Sequence, residues 1–142
     1  MNPLSNRLVL WSLAGLLAVG AGMVRAARQR RQVAARMRGR DDPGNQFGDA
    51  FSALARPAIA GEVRDMLARA LRTDLSRLQP TDRLGVELGF DQTGGDEILS
   101  RLIFEIEGRY DISLPDVRTC KRLTFRQLVE TVDRRHRRAT AS

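Results

Sequence analysis

Leu102-Ile103-Phe104-Glu105-Ile106-Glu107-Gly108-Arg109-Tyr110-Asp111-Ile112-Ser113-Leu114-Pro115-Asp116 is the stretch on which the fold of this chain turns. Read with the residues just before it, apolar side chains recur at Ile98, Leu99, Leu102, Ile103, Ile106 and Tyr110. That three-and-four spacing lays them on one face of an α-helix. The segment Asp111–Asp116 ends the helix, with a proline that cannot continue it. At its other end Gly94-Gly95 marks a break, and Asp96 is expected as the N-cap or a first-turn residue, where a carboxylate answers free N–H groups and the helix dipole.

Working outward, Ile59, Val63, Met66, Leu67, Ala70 and Leu71 predict an earlier amphipathic helix. Thr73 to about Phe90 reads as a long loop held down by Leu75, Leu78, Leu84, Val86 and Leu88. Downstream, Thr124-x-x-Gln127 is a capping box that opens a last helix with Phe125, Leu128, Val129 and Val132 on one face. No segment alternates as a strand does, so the expected class is all-α. Residues 58–134 form a small bundle of three main helices, followed by a basic tail at 135–142.

These elements resemble the acyl carrier protein family over roughly residues 60–133. The stretch from Leu102 to Asp116 is similar to that family's "LxxxLEExFxxxIPD" segment, and Leu123-Thr124-Phe125-Arg126-Gln127-Leu128-Val129 to the start of its last helix. The resemblance implies a carrier-like bundle in which a serine, in an Asp-Ser-Leu triplet at the start of the second helix, carries 4′-phosphopantetheine. Aligned back from Tyr110, this chain has Gly95-Asp96-Glu97 there, as in a carrier-like family with Gly-Asp-acidic at this place. Asp96 has no hydroxyl to form the phosphodiester. It puts an anion where a carrier's phosphate would sit, although an ordinary N-cap aspartate accounts for the same residue. Thr93 and Ser100 are the other hydroxyls near enough to take the group, and neither lies in a carrier-like triplet.

The resemblance also implies an acidic second helix for docking basic enzyme surfaces. Here Glu97, Arg101, Glu105 and Arg109 alternate in sign every four residues, which favours self-pairing along one stripe or a docking face rewritten for another partner. Asp96 and these four are the candidate interaction residues. Cys120, beside Lys121 and Arg122, is assigned no role, although neighbouring cations lower a thiol pKa.

The chain of 142 residues carries a net charge of +7, and its basic groups are concentrated. Seven arginines (25, 28, 30, 31, 36, 38 and 40) lie in residues 25–40 with no acid among them, whereas 58–133 is mildly acidic. Just before this collar, Leu8–Val24 is uncharged, long enough at roughly 25 Å to cross a thin bilayer core. A helix buried against a small soluble domain would keep a polar face toward water, which this run lacks, and a signal peptide cut after Ala26 would be followed by arginines that oppose translocation. The expectation is a single-pass transmembrane helix at 8–24 behind a short tail at 1–7. With only Arg7 before it, the collar places the C-terminal domain in the cytoplasm, at a bacterial inner membrane. Residues 25–40 form a basic juxtamembrane segment whose helix continues to about Arg38. Arg25, Arg28, Arg30 and Arg31 are its lipid-facing residues. Residues 41–57 read as a linker, in which Phe47, Phe51 and Leu54 make either a short docking turn or a sticky stretch.

One cysteine and one histidine leave no disulfide, no multi-cysteine or paired-histidine metal site and no nucleophile–histidine constellation. The expected function is therefore non-enzymatic: a membrane-anchored, carrier-like interaction or regulatory module without cofactor, whose partners are the bilayer and a protein. The alternative is a functional acyl or peptidyl carrier, modified with 4′-phosphopantetheine at a non-standard position and serving membrane lipid or secondary-metabolite synthesis. Nucleic-acid binding through the collar is disfavoured, because a collar at lipid headgroups is poorly placed for it.

Overall fold

The structure, a computed structural model, describes the backbone from Pro3 and the side chains from Gly15 to Ser142. Among the described residues six helices run in the order α1 (Pro3–Arg38), α2 (Asn45–Asp49), α3 (Ala58–Leu71), α4 (Gly95–Tyr110), α5 (Val117–Arg122) and α6 (Phe125–Thr140). The described residues contain no strand, only one isolated bridge between Arg83 and Thr124, and the all-α class holds. α3 packs on α4 and α6. Val63, Leu67, Leu99, Leu102, Ile106, Leu128 and Val132 are all buried in the seam, as their periodicity requires.

Local chemistry sets the helix ends. Arg72 and Asp111 take left-handed conformations at the C-termini of α3 and α4. The capping box of α6 is complete, with Thr124 Oγ1 accepting from Gln127 N and Gln127 Oε1 accepting from Thr124 N. The short α5, not foreseen from periodicity, starts where Asp116 Oδ1 accepts a hydrogen bond from Thr119 N at 2.8 Å. That bond holds the Asp116 carboxyl below its ordinary pKa. The loop between α3 and α4 is pinned by buried Leu75, Leu78, Leu84, Leu88 and Phe90, but Val86 is 53% exposed and is not an anchor. Four backbone bonds tie this loop to the α5–α6 junction: Leu84 N to Leu123 O, Gly85 N to Lys121 O, Phe125 N to Asp82 O and Arg126 N to Pro80 O.

The segments flanking the bundle differ from expectation. Residues 41–57 are not a linker: Phe47 and Phe51 enter the core, with Phe51 edge-on to Phe125 at 5.7 Å and Phe47 stacked on it at 5.8 Å. Of the two readings of these phenylalanines, the docking turn is the one realised. The buried Asp133 carboxylate accepts hydrogen bonds from Ala55 N and Arg56 N, so the backbone leading into α3 is fixed as well. A stretch that looks polar by composition is ordered because two aromatic rings bury enough apolar area to offset its entropy. Nor does the domain end at 134, since α6 continues through the basic tail to Thr140.

The collar also divides. α1 ends at Arg38 as expected, but its last three turns lie on the bundle, with Gln29, Val33 and Met37 buried. Among the described residues no helix is long and apolar enough to cross a membrane. The side chains of Leu8–Ala14, seven of the seventeen residues in the uncharged run, lie outside the described residues.

Candidate functional site

The site singled out by sequence is the start of α4, and glycines shape it. Gly94, the N-cap, has φ +87, a conformation that side-chain-bearing residues rarely adopt. Gly95 is buried where the loop doubles back on itself: a Cβ built there would lie 2.3 Å from the carbonyl oxygen of Phe90. That neighbour is backbone in a core-packed turn and cannot swing aside. Only glycine fits, so the aspartate that precedes a carrier's serine is sterically barred here.

Asp96 lies in the first turn of α4 and does not cap it; the N-cap position makes no side-chain hydrogen bond. The cap half of the expectation for Asp96 is thus corrected: an N-cap side chain reaches forward to the first-turn amides, and the N-cap position, two residues before Asp96, is Gly94, which has no side chain. The Asp96 carboxylate turns outward instead to Lys121 Nζ on α5, at 2.7 Å. The Asp96 side chain is 70% exposed and that of Lys121 is largely covered, so an exposed carboxylate meets a largely covered ammonium.

On the rest of α4, Glu97 and Arg101 pair at 2.6 Å, as the stripe predicts. Glu105 instead reaches across to Arg69 of α3, at 3.2 Å. Arg109 is exposed and borders a shallow depression with Glu62, Asp65 and Arg69. The stripe is thus one pair along the helix and one between helices. In its midst Phe104 is 79% exposed. Thr93 and Ser100 are exposed too. Among the proposed lipid-facing arginines, Arg25, Arg28 and Arg31 are exposed and Arg30 is half-buried.

Reading along the chain missed two of these residues. Lys121 is the one lysine beside 23 arginines, and that oddity was a signal. Phe104 falls out of phase with the buried set Leu99, Leu102, Ile103 and Ile106, which an explicit helical projection would have revealed.

Cys120 is no nucleophile. It is buried, its thiol donates to Pro115 O at 3.3 Å, and burial pushes its pKa up to about 11, aided by the nearby Asp116 charge. Tyr110 donates its hydroxyl proton to Glu62, while burial and that hydrogen bond hold the phenol above its ordinary pKa. His136 packs against the Tyr110 ring and contacts its carbonyl at 3.0 Å. Tyr110 thus joins α4 to α3 through Glu62 and to α6 through His136. Among the described residues no cluster of three metal-ligating side chains exists.

Phosphopantetheine does not fit at Asp96. The residue has no hydroxyl, its carboxylate is paired with Lys121, and the preceding residue must be glycine. Compared with family models, with curated proteins and with solved structures, the chain has no significant match.

Proposed function

We propose that this protein is a membrane-anchored, non-enzymatic, carrier-like module that works by binding a protein partner at the cytoplasmic face of the membrane. The observation that carries the carrier-like part of this reading is the start of α4. Where the resembling family attaches its prosthetic group, this chain has an obligatory glycine and an aspartate tied to Lys121. The ion pair joins α4 to α5, the two helices next to the site, without a cofactor. Exposed Phe104, flanked by the Glu97–Arg101 pair, offers a partner an apolar contact within a neutralised surface. What supports the anchor is the uncharged run Leu8–Val24 followed by the arginine collar. The exposed apolar side chains of Leu16, Leu17, Val19, Met23 and Val24 support it further.

Intact-mass measurement of the full-length protein, co-expressed with a broad-specificity phosphopantetheinyl transferase, tests the loss of the prosthetic group. The expected chain is unmodified, and so is Asp96→Ser, because the flanking Gly95 and Glu97 are not a carrier's. Restoring the whole triplet is not a clean control, since Gly95→Asp collides with Phe90. Addition of the group to wild type at Ser100 or Thr93, both exposed, would establish the working carrier instead. The anchor is tested separately. The protein should pellet with membranes and resist alkaline extraction, whereas recovery of a chain cut after Ala26 in the periplasm overturns it.

A further inference from the structure

The loop that leads to Asp96 climbs the flank of α1. Asp82 pairs with Arg40 at 2.5 Å. Arg36 donates to the carbonyls of Val86 and Glu87, and Gln29 donates to Leu88 O at 3.2 Å. Gln92 donates to the Gln32 side chain. Beyond this bond, Asp91, Gln92 and Thr93 line a groove whose other wall is Arg25, Arg28 and Gln32. The apolar run ends at Val24. At about 1.5 Å of rise per residue, Arg25 and Arg28 stand roughly 2–6 Å beyond it. If the run lies in the bilayer, the groove lies in the headgroup layer.

The wall charges are of two kinds. Arg25 and Arg28 supply two guanidinium groups, and Asp91 supplies a carboxylate. None of the three belongs to an ion pair among the described residues. Guanidinium forks match phosphate oxygens, and a carboxylate matches an ammonium. The Gln32–Gln92 bond sets the spacing of the two walls. A Cβ at Gly85 would lie 2.6 Å from the Asp91 carboxylate, so this small residue lets Asp91 take its position.

From this juxtaposition we infer that the groove between α1 and the Asp91–Thr93 loop binds the headgroup of an aminophospholipid. Arg25 and Arg28 take the phosphate, and Asp91 takes the primary ammonium. The inference rests on the membrane reading of Leu8–Val24 and adds to it a selectivity that a simple arginine collar lacks. Two arginines alone would favour an anionic headgroup. The carboxylate opposite them turns the preference toward a headgroup bearing both charges.

The test uses the full-length protein, reconstituted in vesicles of equal parts phosphatidylethanolamine and phosphatidylglycerol. Native mass spectrometry then reads the lipid it retains. Wild type should retain phosphatidylethanolamine over phosphatidylglycerol by about fivefold, the ratio expected from one partly exposed charge contact. Asp91→Asn should invert the preference. The Arg25→Gln/Arg28→Gln pair should abolish retention, whereas Arg126→Gln, exposed on α6 and outside the groove, should leave it unchanged. A protein that inserts but retains both lipids equally, or whose selectivity survives Asp91→Asn, overturns the headgroup site while the anchor stands. A protein that does not insert overturns both. Soluble phosphoethanolamine should leave no adduct; Arg25-dependent binding of it would assign the groove to a soluble ligand and overturn the lipid.

Discussion

α1 is one helix with two fates. From Gly15 to Val24 its side chains are exposed, among them Leu16, Leu17, Val19, Met23 and Val24. From Gln29 onward it is amphipathic, and one face is buried under the loop between α3 and α4. No glycine–proline break separates the halves, so the backbone runs through. The first half has apolar surface and no protein neighbour among the described residues. The second half has fewer apolar side chains, and they are covered. Hydrophobicity alone therefore does not tell where a segment packs; the spacing of Val33 and Met37, with Gln29 one turn earlier, decides it. The bundle and the apolar half are connected by continuous helix.

The severest test of this contrast is truncation. A chain beginning at Arg25 should fold like the full length. One beginning at Arg56 loses Val33, Met37, Phe47 and Phe51, all buried. At about 1.5–3 kcal/mol for each such side chain, that loss rivals the whole stability of a small domain. The shorter chain should lack a cooperative thermal transition by circular dichroism; equal melting of the two chains would detach α1 and α2 from the core.

Next in size is Leu102→Ala in α4, expected to cost about 2–5 kcal/mol by urea denaturation. An unchanged midpoint would show that α4 is not packed as described. Asp133→Ala follows, at about 1–3 kcal/mol, because it orphans the Ala55 and Arg56 amides at the start of α3. Should it prove neutral, the segment before α3 is held by its phenylalanines alone.

Asp96→Ala should cost no more than about 1 kcal/mol, since it removes a largely exposed ion pair and a first-turn charge but no cap. Lys121→Ala should match it, and the double variant should show the pair's coupling. A larger loss at Asp96 alone would restore the cap it lacks here.

The smallest effect concerns Cys120. Its folded pKa, raised by burial to about 11, favours the folded state fully below the ordinary thiol value of 9.0. That contribution is lost as pH rises toward 11. Iodoacetamide at pH 8 should therefore label the native protein far more slowly than the urea-unfolded one. Equal rates would contradict the burial.

Much of the bundle was legible because its signals are local and repetitive. The 98–110 periodicity, the Thr124–Gln127 capping box and the stop after Tyr110 each lie within one turn or one helix, and each has its expected place. The site was legible only in part. Asp96 could be placed at the start of α4, but its partner Lys121 lies 25 residues away along the chain. The steric demand at Gly95 comes from the Phe90 carbonyl across a turn. Neither leaves a periodic trace.

By itself the sequence determined the helical class, the buried faces of α3, α4 and α6, the end of α1 near Arg38, and the absence of a hydroxyl at position 96. Spacing and residue chemistry suffice for these, since each depends on neighbours within a few residues. Only the tertiary structure decided that Phe47 and Phe51 belong to the core. It also decided that the collar splits into docked and exposed arginines, and that Asp96 pairs with Lys121. These outcomes depend on which distant surfaces meet. A polar-looking segment folds when two rings find Phe125, and Arg40 is largely covered because a loop offers it Asp82, whereas Arg36 stays exposed while donating to the loop's carbonyls.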